Sequence, residues 1–172
     1  MVLLADFSFT DPDGKVWKAP EGYDQMNGAS IPRPLWSLIG SPYTGDYRRA
    51  SIVHDFACDQ AQKDRSKRLA ADRMFYHACR EGGCSIWQAT LLYIGVRIGS
   101  ILPRVKHWQP AALAEASGPR LYQANAEEAL VTDFRKIAEA VLSEGETDNP
   151  RELERRTTMA LVAVTGLRRD EL

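Results

Sequence analysis

The chain has 172 residues, 44% of them apolar and 26% charged, with a net charge of -1. That is enough for one folded core, and too balanced in charge for a general nucleic-acid surface. No run of about 18 apolar residues occurs, so no transmembrane segment is expected. MVLLADFSF lacks the basic start and unbroken apolar stretch of a signal peptide, and Cys58, Cys79 and Cys84 follow no metal-ligand spacing. The expected location is cytoplasmic or virion-associated, with free thiols.

Phe7 to Trp17 predicts a β-hairpin, with Asp11-Pro12-Asp13-Gly14 as the turn. Ala19 to Gly28 is a loop. In Asn27-Gly28-Ala29-Ser30-Ile31-Pro32-Arg33-Pro34-Leu35-Trp36, Ser30 is placed to cap a short helix that ends at Gly40. The first long helix is expected from about Asp46 to Gln62, and a second from near Ser66 to Gly82-Gly83, turning back near Lys63. A third opens at Ser85 with Gln88 in capping-box position and runs to about Ile101; its Gly95 and Gly99 permit close packing. Val105 to Pro119 is a linker with one helical turn at Pro110 to Ala116. Leu121 to Glu144 is a long amphipathic helix, and Asn149, Pro150 and Glu152 start a last one that ends near Gly166. The fold class is therefore mainly α, with a small N-terminal β-hairpin, a central antiparallel helix pair and a C-terminal helical arm. Residues 1–108 form the hairpin plus helical core, and 109–172 the extension.

The chemistry concentrates in SIVHDFACDQAQKDRSKRLAADRMFYHAC, residues 51–79. His54 and Asp72 lie nine residues either side of the expected bend, so they sit level on two antiparallel rods. The helix face around His54 carries Ala50, Ala57, Cys58 and Ala61, small enough for a short aspartate to reach an imidazole. An imidazole held by a carboxylate is a general base: the acid fixes the tautomer and stabilises the imidazolium. Asp55 points about 100° round the helix, toward an adjacent site where a hard cation such as calcium would find oxygen ligands. Asn27 and Gly28 are the candidate partners of Asp55 there. Tyr76 shares the Asp72 face and is a candidate supporting hydroxyl. The alternative is that His54–Asp72 is a buried bracing bond and Asp55 a solvated charge. Cys58, one turn from His54, reads as packed core. No histidine precedes His54 and no HExxH occurs, which argues against HD-type and zincin metal centres.

The ordered set GY, NGASIPRPLW, GDYRRASIVHDF, KRLAADRMFYHA and YIGVRIG resembles the domain-of-unknown-function family numbered 1353, of bacteria and tailed phages, over roughly Phe7 to His107. A weaker resemblance is to the bacterial branch of the secreted phospholipase A2 superfamily. It rests on Asn27-Gly28-Ala29-Ser30, His54-Asp55-Phe56 and Asp72 with Phe75-Tyr76, in that order. That likeness implies His54 as general base, Asp72 as its orienting acid and Asp55 as a calcium ligand. This chain departs from the pattern at Asn27, which stands where an acidic calcium ligand is usual, and in lacking the supporting cysteines. The function these readings favour is a calcium-assisted ester hydrolase acting on phospholipid. The competing expectation is a non-enzymatic phage or virion accessory protein whose C-terminal helices dock phage structural proteins.

Overall fold

The computed structural model describes residues 2–26, 28–40, 45, 47–62, 64–101, 119–170 and 172. Asn27, most of the loop after Gly40, the bend residue Lys63, and the expected linker up to residue 118 with its helical turn, His107 included, lie outside them.

The hairpin forms as its turn chemistry predicts. Strands β1 (Phe7–Thr10) and β2 (Val16–Ala19) pair antiparallel, with Phe7 opposite Ala19 and Thr10 opposite Val16. Asp11 builds the turn: its carboxylate accepts from the amides of Asp13 at 3.1 Å and Lys15 at 2.9 Å, and from Trp17 Nε1 at 2.7 Å. Gly14 takes the left-handed φ of 80° that the turn requires.

A 3-10 turn (Arg33–Leu35) leads into α1 (Trp36–Ile39), which stops at Gly40. Ser30 is not its cap: the cap position is Pro32, with no side-chain hydrogen bond. Ser30 instead adopts a left-handed backbone, φ 59°, directly after Ala29 at 59° and Gly28 at 91°. Three such residues in a row, two of them with a Cβ, make this the most contorted described stretch of the chain.

The helix pair is α2 (Arg48–Ala61) and α3 (Arg65–Glu81). Neither contains glycine or proline. Asp64 caps α3 by accepting from Lys67 N at 3.2 Å, and Gly82-Gly83 ends it. Ala50, Cys58 and Ala61 on α2 and Ala71 and Ala78 on α3 are buried, so the rods lie close. The hairpin packs on α2 through β2.

Helix α4 (Ile86–Ile101) is the buried axis. Ser85 Oγ accepts from Gln88 N at 3.1 Å, the N-terminal arrangement read from the sequence. Nearly every side chain from Ala89 to Ile101 is buried, as an all-round apolar helix must be. Helices α5 (Pro119–Ser143) and α6 (Pro150–Thr165) pack on each other, and α5 packs on α4 and α6 on α3. Asn149 caps α6, accepting from the amides of Arg151 at 3.0 Å and Glu152 at 3.4 Å. One apolar cluster runs from Ile31 and Leu35 through α2 to α4 and on to Phe134, Ile137, Val141, Leu153 and Leu161. No helix among the described residues is long and apolar enough to cross a membrane.

Candidate functional site

The two rods bring His54 and Asp72 together. His54 Nε2 lies 2.8 Å from Asp72 Oδ1, and the residues are 1% and 0% exposed. The ring also packs at 4.9 Å, centroid to centroid, on Phe75, one turn along α3 from Asp72. A third helix completes the arrangement. Arg97 of α4 places Nη1 3.1 Å from Asp72 Oδ2 and is itself 1% exposed. Asp72 therefore holds an imidazole on one oxygen and a guanidinium on the other.

Cys58 stands one turn below His54, its Sγ 3.5 Å from Nε2 and 3.8 Å from Nδ1. Donor atoms of His54, Cys58 and Asp72 all lie within 4.8 Å of one another. The three cysteines are free and buried.

These neighbours set the charge states. Burial alone would push the imidazole toward its neutral form, but the Cys58 sulfur and the Asp72 carboxylate outweigh it and raise its pKa to about 10. Burial likewise works to raise the Asp72 pKa, and the His54 bond and Arg97 charge reverse it, holding the carboxylate below its ordinary range. Arg97 is raised further still: burial opposes its charge, and Asp72 more than restores it. The centre is a buried cation–anion–cation line at neutral pH.

Asp55 is 2% exposed, so it is not a solvated charge. Its Oδ2 accepts from Gly28 N at 3.0 Å, which ties α2 to the left-handed loop. Gly28 turns its amide, not its carbonyl, toward Asp55, and its carbonyl accepts from Ile31 N at 3.4 Å.

Tyr76 is buried on α3, but its hydroxyl turns away from the dyad. It donates to Asp148 Oδ1 at 2.9 Å and Thr147 O at 3.2 Å, beside the Arg80–Asp148 ion pair at 2.9 Å. The structure buries His54, Asp72 and Asp55 on the helix pair and turns the Tyr76 hydroxyl to Asp148 in place of the Asp72 site that the sequence suggests. Sequence reasoning missed two members. Arg97 was a lone charge inside an apolar helix, a signal that demands a buried counter-ion. Cys58 was set aside as core, although it lies four residues from His54 on the same helix face.

Comparison with known proteins matches the family model described as "Protein of unknown function (DUF1353)" to residues 1–96, which include His54, Asp55, Cys58 and Asp72. The chain is 42% identical over 96 residues to "Uncharacterized protein y4jT" of Sinorhizobium fredii, covering 55% of this chain and 27% of that one. It is 32% identical over 110 residues to "Uncharacterized protein y4iH" of the same organism, covering 61% and 44%. The chain thus spans less than half the length of these curated relatives. No solved structure matches it. With the family model covering more than half of its length, the chain belongs to the DUF1353 family.

Proposed function

We propose that the protein is an ester hydrolase of phospholipase A2-like type, with His54 as general base and Asp72 as the acid that orients it. The observation that carries this reading is the 2.8 Å contact between His54 Nε2 and Asp72 Oδ1, with Nε2 committed to the carboxylate. In the fraction of chains whose ring is neutral, Nδ1 is then the nitrogen that takes a proton from water. The water oxygen attacks the ester carbonyl, and Asp72 stabilises the imidazolium. The proton passes to the leaving alkoxide as the tetrahedral intermediate collapses. Both side chains are buried, so turnover requires the packing above them to open. The strained Gly28–Ser30 loop on Asp55 is the neighbouring segment with conformational energy to release. Calcium is a variable of the assay and not a step of this mechanism.

A second reading is favoured by the burial of the dyad and by Arg97 on Asp72. In it the protein is a non-enzymatic phage or virion accessory module: the charge line braces three helices, and α5 and α6 meet a partner.

Fluorogenic phospholipid and short-chain ester turnover separates the two. It is measured with calcium and with chelator, for wild type, His54→Gln and Asp72→Asn, with melting temperatures alongside. The hydrolase reading expects wild-type turnover that both variants lose while remaining folded. A folded wild type inert on the whole ester panel, calcium present or absent, leaves the bracing module.

A further inference from the structure

The Cys58 sulfur has no part in that chemistry, yet it completes a set of three different donors on two rigid helices. His54 and Cys58 are four apart on α2, so they project from one face, and Asp72 meets them from α3. Zinc takes nitrogen at about 2.0–2.1 Å, thiolate at about 2.3 Å and carboxylate at about 2.0–2.2 Å, in a tetrahedron. Those bonds place a nitrogen and a sulfur ligand about 3.5 Å apart, and a nitrogen and an oxygen ligand about 3.4 Å apart. His54 Nε2 and Cys58 Sγ stand 3.5 Å apart, but Sγ is also 3.8 Å from Nδ1 and so lies over the ring, and the imidazole must turn to aim Nε2 at an ion shared with the sulfur. The Nε2–Oδ1 pair, at 2.8 Å, needs to open by little more than half an ångström.

We infer that His54, Cys58 and Asp72 form a binding site for a zinc-class divalent cation, with the fourth position left to water or a small anion. The donor set selects the metal: a thiolate and an imidazole suit zinc and disfavour calcium or magnesium. Arg97 on Asp72 Oδ2 orients that carboxylate so that Oδ1 is the oxygen turned to His54, the outer-shell arrangement of metal sites. The donors are 1%, 3% and 0% exposed, so the ion enters as the helix pair closes or during local opening, and leaves slowly. Zinc would use the same His54 nitrogen that bonds Asp72 in the dyad. The two states therefore exclude each other, and zinc would inhibit any hydrolysis that depends on the dyad. The binding itself does not rest on the hydrolase reading.

The full chain is unfolded and refolded with zinc or with cobalt, then passed through gel filtration. The expected result is about one metal per chain, with a thiolate-to-cobalt charge-transfer band and the intense visible bands of a tetrahedral ion. Cys58→Ser should abolish the charge-transfer band and lower zinc retention more than about tenfold, with circular dichroism unchanged. Cys58→Ala serves the same purpose should the serine variant fail to refold. The Cys79→Ser/Cys84→Ser double variant should retain both signals. A wild type that keeps no metal, or a metal signal that survives loss of Cys58, overturns the site. Because the readout is metal content and spectrum, a chain that binds zinc yet is inert on esters when assayed with chelator refutes the hydrolase alone, and a chain active with chelator that retains no zinc refutes the metal alone.

Discussion

Arg97 Nη1 and Asp72 Oδ2 stand 3.1 Å apart at the junction of three helices, both side chains shut off from water. Arg97 also reaches Ser100 Oγ and Leu172 O, each at 3.4 Å, so α4, α3 and Leu172 meet on one guanidinium. Removing one partner of a buried pair strands the other, at a cost of about 3–5 kcal/mol. Arg97→Met should be destabilised by about that much in urea unfolding. Arg97→Lys should fall between it and wild type, because an ammonium keeps the charge and loses the fork. An Arg97→Met chain within about 1 kcal/mol of wild type would show that Asp72 does not need its second cation.

The same line makes stability depend on pH. The His54 pKa is raised from 6.5 to about 10 in the folded chain, so the folded state holds a proton that the unfolded state gives up between those values. Its contribution is fully present below about pH 6.5 and is lost as pH rises through about 10. Asp72, lowered from 3.8, contributes above that value and loses its contribution as pH falls through its folded pKa. Unfolding free energy measured from pH 5 to 9 should therefore decline on the alkaline side, and His54→Gln should flatten that decline. Cys79, whose thiol burial holds protonated, adds to the fall only from about pH 9 upward, outside the diagnostic window. A wild-type curve level from pH 6.5 to 9 would mean that His54 is neutral in the fold.

Backbone contact fixes the left-handed loop on α4. A Cβ at Gly99 would overlap the Ser30 carbonyl oxygen and meet Ser30 C at 3.0 Å, and Ser30 is already held at φ 59°. At Gly95 the nearest atom is the movable end of a side chain, Ile39 Cδ1, at 3.1 Å. Alanine gains up to about 1 kcal/mol in helix propensity at either site. Gly95→Ala should therefore melt near wild type, and Gly99→Ala should lose about 1–3 kcal/mol through overpacking. Equal melting temperatures would show that the loop yields freely.

What was legible in the sequence was whatever local spacing dictates. Helical rise alone set His54 level with Asp72, and turn and cap chemistry announced Asp11, Ser85 and Asn149 before any contact was known. What was not legible depends on distant segments. Arg97 is 25 residues from Asp72, and nothing in α4 alone says which acid it meets. The hydroxyl of Tyr76 finds Asp148, 72 residues away, against the helical-face argument that aimed it at Asp72. Ser30 has the composition of an N-cap, but its backbone, lying against Gly99, is left-handed where an N-cap is extended. Cys58 was hidden by a sound general expectation, since a cysteine among alanines is ordinarily inert packing.

Tyr76 offers a clean separation of stability from chemistry. Its hydroxyl serves Asp148 and Thr147 O, at the segment between α5 and α6, and reaches neither dyad member. Tyr76→Phe should cost about 1–3 kcal/mol by leaving Asp148 and Thr147 O short of a donor. Ester turnover per folded molecule and zinc retention should both stay at wild-type values. A variant that is stable yet slow would return the hydroxyl to the site.

The pH profile of any ester turnover is the sharpest test of the dyad itself, because a base must first be unprotonated. With the His54 pKa raised to about 10, the fraction of neutral imidazole grows about tenfold for each pH unit between 6.5 and 9. Initial rates on a soluble fluorogenic ester should climb with that slope and level off near pH 10, provided circular dichroism shows the chain still folded. Arg97→Lys should leave this rise in place, since Arg97 touches only the far oxygen of Asp72. A rate that levels off near pH 6.5 would instead report an imidazole released from Asp72 in the active state. A rate that keeps its full slope in His54→Gln would report hydroxide attack, with no protein base involved.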